Sequence, residues 1–193
     1  MSTLIRGLVA VFLLVPQGSE AQARPARRRS IHGLLGVLAP TGRQRAALGD
    51  AFAIGVQGAL GLRPAVALVG GVLVAQTGYK RPLQGDVTIV QYDAGVEFAP
   101  AARPQPGHAA RRGVTTFIGG GGGVRVYALR DSDAPVRQTS GVGYVSLGGE
   151  LAIRRAGLRL ELRNYLSRSE YSGARAGTRN DIVAVTGLAY HFR

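Results

Sequence analysis
From Gly157 to Leu166 the chain alternates strictly, with Leu158, Leu160, Leu162 and Leu166 on one side and Arg159, Glu161, Arg163 and Tyr165 on the other. A period of two is the signature of a pleated strand and is incompatible with the apolar stripe of a helix. Residues 51–62 repeat the pattern: Phe52, Ile54, Val56, Leu60 and Leu62 oppose Ala51, Ala53, Gly55, Gln57, Ala59 and Gly61. Residues 87–99 set Val90, Tyr92, Val96 and Phe98 against Gln91, Asp93, Gly95 and Glu97, and residues 181–192 group Ile182, Ala184, Leu188, Tyr190 and Phe192. Four further segments, about 31–39, 64–77, 114–129 and 139–154, also predict strands, while helical spacing is nearly absent. Segment 64–77 is apolar on both faces, so the pattern does not say which face points where, and the same holds for the first strand.

Eight strands follow, most of them at least the ~9–11 residues that a tilted membrane strand needs. Their connections are unequal. Residues 40–50, 78–86, 130–138 and 167–180 are longer loops, whereas Arg63-Pro64 and Arg154-Arg155-Ala156-Gly157 are tight turns. Long loops at one end and short turns at the other is the outer-membrane arrangement. The connection from Pro100 to Gly113, long, Pro-rich and basic, departs from it.

The N-terminal residues read as an address. Arg6 provides a positive start, Gly7–Val15 an apolar run too short to span a bilayer as a helix, and Ala21-Gln22-Ala23 the small residues of a cleavage site. Residues 1–23 are therefore expected to be a signal peptide cut after Ala23, cleavage after Ala21 being the competing choice, with 24–30 a basic periplasmic lead-in and 31–193 the barrel. No later stretch is long and apolar enough for a spanning helix; the best is residues 65–75. An exported chain of this kind either folds in water or enters the outer membrane as a closed barrel, because lipid tolerates only helices and closed barrels.

In lipid the leucine faces must point outward and the polar faces into the lumen. Glu97, Arg125, Glu150, Arg159, Glu161 and Arg163 would then form a lumenal charge network, since an unpaired buried charge costs several kcal/mol. Eight strands enclose an interior that side chains just fill, so a plugged, polar core is expected rather than an open pore. Glycines at 119–123, 141, 143, 148 and 149 would leave room for the arginines. Alternation alone leaves a second arrangement open, a secreted soluble barrel whose leucines turn inward around an apolar small molecule.

The chain ends Val185-Thr186-Gly187-Leu188-Ala189-Tyr190-His191-Phe192-Arg193. This resembles the C-terminal strand signature of outer-membrane barrels, a glycine, an aromatic three residues on, and a final aromatic two further. Gly187, Tyr190 and Phe192 hold those places; Val185 stands where a polar residue is usual, and Arg193 follows the last aromatic. Strand number and length are likewise similar to the small OmpA/OmpX-like barrel domains. The resemblance implies an all-β, eight-stranded antiparallel up-and-down transmembrane barrel over residues 31–193. It also implies insertion by the barrel-assembly machinery, with Gly187, Tyr190 and Phe192 as its signal. No peptidoglycan-binding domain is expected after the barrel.

Composition narrows the chemistry. With no Cys there is no disulfide scaffold, thiolate metal site, Cys nucleophile or lipid-bearing lipoprotein cysteine. The formal charge is +13, almost all Arg with Lys80 the one lysine, and it recurs in most irregular segments instead of on one element with interleaved aromatics. That distribution disfavours nucleic acid as a partner and leaves an anionic membrane surface, with outer-membrane lipid the expected partner, or an Arg-favouring genome. The loop residues Arg43, Arg45, Lys80, Arg81, Arg130, Arg137, Arg168, Arg175 and Arg179 either bind lipopolysaccharide phosphates or form a merely solvated basic rim.

Gly119–Gly123 lacks the Gly-Lys-Ser/Thr of a phosphate loop, and Asp131-Ser132-Asp133 suits a solvated turn better than a cation site. No cofactor or metal is expected. His32, His108 and His191 all fall at the periplasmic end, away from Asp86, Asp131 and Asp181, and His191 has no adjacent Ser, so no catalytic set assembles. The sequence predicts a non-enzymatic barrel with a structural, adhesive or surface-interaction role. A narrow pore and an outer-membrane lipid hydrolase are the less favoured readings.

Overall fold
The computed structural model describes residues 29–41, 45, 48–78, 86–100, 112–130, 136–153, 155–169 and 177–192. Eight strands follow one another: β1 (Arg29–Pro40), β2 (Ala51–Arg63), β3 (Val66–Gly78), β4 (Asp86–Phe98), β5 (Arg112–Arg130), β6 (Val136–Ile153), β7 (Ala156–Ser169) and β8 (Gly177–Phe192). Each pairs antiparallel with its sequence neighbour, and β1 pairs with β8 from Arg29↔Phe192 to Pro40↔Asp181, closing the barrel. Closure leaves no unpaired sheet edge. One end of the barrel, the near end, holds the start of β1, the β2–β3, β4–β5 and β6–β7 connections and the end of β8. The far end holds the other four connections.

Alternation sets the two surfaces of the wall. Phe52, Ile54 and Val56 on β2, Leu158, Leu160, Leu162 and Leu166 on β7, and Ile182, Leu188, Tyr190 and Phe192 on β8 are exposed on the outside. The residues that alternate with these face inward, and most of them are buried. Every strand contributes large apolar side chains to this outer surface, including Ile31, Leu35 and Val37 from β1 and Leu68 and Val72 from β3. An apolar surface this extensive is foreign to a water-exposed monomer.

Several expectations are adjusted. The facings that the sequence leaves open are now fixed: His32, Leu34 and Leu38 of β1 and Val69, Leu73 and Ala75 of β3 point inward. Arg29 and Ser30, expected in the lead-in, already pair with Phe192 and His191. At the far end, β6 starts at Val136, β7 runs to Ser169 and β8 starts at Gly177, so the loops there are shorter than expected. Polar residues on those extensions, such as Arg137, Gln138 and Asn180, carry no alternation signal even though their backbones still pair.

The lumen is not polar throughout. Leu34, Leu38, Ala51, Ala53, Leu73, Ala75, Val87, Ile89, Val142, Val183 and Val185 join Tyr127, Tyr144 and Tyr165 in a buried apolar cluster, drawn largely from the far-end halves of β1–β4. β1 and β3 look apolar on both faces because apolar residues line the lumen behind them as well as the outer wall.

The glycines also act differently from the expectation. Gly120, Gly122, Gly141, Gly143 and Gly149 alternate with the inward positions, and Gly141 has nothing within 4 Å of where a Cβ would stand. Of the inward set, a Cβ at Gly119 would meet Ser146 Oγ and lie 3.2 Å from Glu97 Cγ, and one at Gly148 would strike the Phe117 ring. At Gly121 and Gly123 it would collide with the carbonyl oxygens of Ala94 and Tyr92 on β4. The space is taken by neighbouring backbone, an aromatic ring and short polar groups, and not by arginine side chains. Glycine in a strand interior commonly marks such close backbone approach or a sharp bend of the sheet.

Candidate functional site in the barrel lumen
The inward positions of β4, β6 and β7 converge on a ladder of charge. Arg159 ion-pairs with Glu97, sits 3.0 Å from Glu161 Oε2, and reaches Glu150 at 3.8 Å. Its guanidinium also lies 3.9 Å over the Phe117 ring. Further along the same strand, Arg163 donates from Nε to Glu161 Oε1 at 2.7 Å and from Nη2 to Gln57 Oε1 at 3.1 Å. It meets Asp93 at 3.3 Å, and Tyr165 donates to that carboxylate at 2.8 Å. Arg159 and Arg163 thus share Glu161 between them, an arrangement that strand periodicity gives automatically to an Arg-x-Glu-x-Arg run.

Arg125 belongs to a second group. It ion-pairs with Asp181 and donates from Nε to Gln91 at 2.6 Å, while its guanidinium stands 5.1 Å over the Tyr165 ring. Of the six charged residues singled out from sequence, five therefore meet in one cluster and Arg125 lies apart with Asp181. Sequence reasoning left Asp93, Asp181, Gln57 and Gln91 out of the network. Parity would have added Gln91 and Asp93, which share a face with Glu97, and Gln57, which lies on the inward face of its strand. Parity also turns Asp181 inward, opposite outward Ile182, but its partner Arg125 stands across the lumen on β5, which no local pattern supplies.

At the near end the ladder opens into a cavity of about 370 Å³ lined by His32, Glu97, Phe117, Glu150, Arg159 and His191 among others. His191 Nε2 is 2.7 Å from Glu150 Oε1. His32 Nε2 is 2.9 Å from Ser30 Oγ and 3.9 Å from Glu150 Oε2. A Ser–His pair beside a carboxylate invites a nucleophile reading, but hydroxyl and carboxylate address the same ring nitrogen and no carboxylate meets Nδ1. A catalytic imidazole takes the serine on one nitrogen and its orienting acid on the other, so this set is not arranged for proton relay. His108 lies outside the described residues, and Asp181 is spent on Arg125. Among the described residues no group of His, Asp and Glu is placed to hold a metal ion.

The C-terminal residues take distinct positions. Tyr190 and Phe192 are exposed on the outer wall with ring centroids 5.1 Å apart and nearly perpendicular. A Cβ at Gly187 would press on Gly33 of β1 at the closing seam. Ala23 lies outside the described residues.

A closed, all-antiparallel, eight-stranded barrel with an apolar exterior and a filled, charged lumen has the fold of the small bacterial outer-membrane barrels. No protein-family model and no curated protein matches the sequence. Solved structures do match. Neisserial surface protein A is similar at a TM-score of 0.62 with 11% identity, over 89% of this chain and 100% of that one. OprG of Pseudomonas aeruginosa gives 0.57 with 13% identity, over 90% and 100%. Ail of Yersinia pestis, the attachment invasion locus protein, gives 0.54 with 9% identity, over 87% and 100%, in a complex with the heparin analogue sucrose octasulfate.

Proposed function
We propose that the protein is a non-enzymatic barrel of the bacterial outer membrane with a structural, adhesive or surface-interaction role, exported through a signal peptide cleaved after Ala23. The observation that carries this reading is the division of the wall. Its outside is apolar on every strand, and its inside holds paired charges beside packed apolar side chains. A barrel built to hold an apolar molecule in water would show the reverse. Since buried Arg125, Tyr165, Gln57 and Gln91 fill the lumen, passage of solute is not what this interior favours. Activity then belongs to the far-end loops, which face outward from the cell if the termini are periplasmic. Ail, which shares the fold, takes up a sulfated ligand, and the far-end loops here are rich in arginine. Lipopolysaccharide phosphates and other surface polyanions are the partners that chemistry suits, with nucleic acid excluded by location. Gly187, Tyr190 and Phe192 are proposed as the signal read by the barrel-assembly machinery.

Topology tests the reading. An epitope inserted between Asp133 and Ala134 should be detected on intact cells, and one inserted between Ala101 and Ala110 only after the outer membrane is permeabilised. Detection of both tags in the periplasmic extract, with neither at the surface, would reject it.

A further inference from the structure
The chain's charge is not spread evenly over the barrel. Among the described residues, three arginines and five acids make the lumenal ion pairs: Arg125, Arg159 and Arg163 with Asp93, Glu97, Glu150, Glu161 and Asp181. Segments at the far end hold nine Lys or Arg and five Asp or Glu, residues 43–50, 80–86, 130–137 and 168–179. The near end is different. Beyond residue 23, four arginines lie between residues 24 and 29, one at 63, three between 103 and 112, two at 154–155 and one at 193. These eleven stand with no Asp or Glu outside the lumen at that end. In sequence, the segments joined to the near ends of the strands therefore carry most of the positive excess.

The described members of this rim sit where the apolar wall stops. Arg29 is exposed and pairs across the seam with Phe192, itself exposed beside Tyr190. Arg63 is exposed at the end of β2, next to outward Leu62 and at the mouth of the near-end cavity. Arg155 is exposed in the β6–β7 turn, and its carbonyl accepts from His191 N at 2.8 Å, which brings it beside Phe192. Arg112 is in register with Ile153, an outward residue of the wall. None of Arg29, Arg63 and Arg155 has an ion-pair partner among the described residues. In a bilayer the lipid phosphates lie just outside the hydrocarbon, at the level of such a rim. Guanidinium is the side chain best shaped to chelate a phosphate.

We infer that the near-end rim is a docking surface for anionic phospholipid headgroups, which it gathers and holds in the leaflet it meets. The inference rests on the outer-membrane reading above. Contiguity with the apolar wall is what favours lipid over a polyanion approaching from the aqueous side. Held there, the phosphates would fix the depth of the barrel and resist its slipping along the membrane normal.

Because the chain has no Trp, a single reporter can be placed at either rim: Leu62→Trp at the near end or Phe52→Trp at the far end. Each full-length protein is folded into vesicles of equimolar phosphatidylcholine and phosphatidylglycerol, with one or the other lipid brominated on its acyl chains. Quenching then gives the relative affinity of the wall for the two lipids at that rim. We expect phosphatidylglycerol to be favoured at Leu62→Trp by at least about fivefold, the factor that one arginine near an anionic surface supplies, and by little at Phe52→Trp. Adding Arg29→Gln, Arg63→Gln and Arg155→Gln should bring the near-end ratio toward one, and raised salt should weaken it through screening. Equal ratios at the two rims, or a near-end ratio that survives the triple substitution, would overturn the inference. The same samples, run unboiled and boiled on gels, report whether the barrel has closed in the bilayer. A missing band shift would count against the outer-membrane reading, and a normal shift with no lipid preference against the docking surface alone.

Discussion
At the scale of single residues the lumen depends on Arg159. It lies between Glu97, Glu161 and Glu150 and covers the Phe117 ring. Replacing one member of a buried ion pair is costly mainly because the other charge is left behind, about 3–5 kcal/mol, whereas replacing both is far cheaper. Arg159→Met keeps the packing over Phe117 and strands Glu97, so it should lower unfolding stability in detergent by about that amount. Glu97→Gln on top of it leaves the Glu161–Arg163 pair intact and should recover a large part of the loss. A denaturant titration of the two single variants, the double variant and the parent measures this. If the double variant is as unstable as the sum of the singles, the charges are not coupled as their geometry requires.

Among the strands, β5 carries the sharpest constraint. Within its run of five glycines, Gly121 and Gly123 approach β4 so closely that a Cβ at Gly121 would meet the Ala94 carbonyl oxygen. Gly121→Val should therefore prevent barrel closure or sharply reduce the yield of folded protein. Gly141→Val, where nothing lies within 4 Å, should fold as the parent does. Yield of the compact electrophoretic form distinguishes them, and equal yields would contradict the tight β4–β5 approach. This element also shows what sequence could and could not reveal. The outward faces of β2, β4, β7 and β8 were legible because apolar surroundings outside and polar partners inside produce alternation. In β7 the charges that pair across the lumen are the very residues that break up the leucines. β1 and β3 were not legible, since Leu34, Leu38, Leu73 and Ala75 meet an apolar lumen while Leu35 and Leu68 meet the outside. The apolar half of the interior was invisible for the same reason. The β5 glycines suggest clearance for arginine only because a one-dimensional pattern cannot show that the neighbouring backbone occupies the space. The pairing of Arg125 with Asp181 was hidden because 56 residues separate the partners.

Taken as a whole molecule, the protein has segregated its chemistry by surface: apolar wall, paired charges and apolar packing inside, and exposed arginine on the near rim. The barrel is accordingly expected to be electrically silent. In planar bilayers the parent should give no steady conductance, because an eight-stranded interior is filled by side chains. Long-lived open steps from purified protein would show that the ladder of Arg159 and Arg163 does not close the lumen. Deletion of Tyr190–Arg193 removes the residues that pair with Arg29–Ile31 and Ala156, so it should block closure and leave the chain to periplasmic proteases.

The central claim, a closed barrel whose apolar wall meets lipid, is tested most directly by electrophoresis of outer-membrane fractions without and with boiling. The account predicts that the protein sediments with the outer membrane and that its unboiled band migrates faster than the boiled one. Recovery in the soluble periplasmic fraction with identical mobility before and after boiling would contradict it.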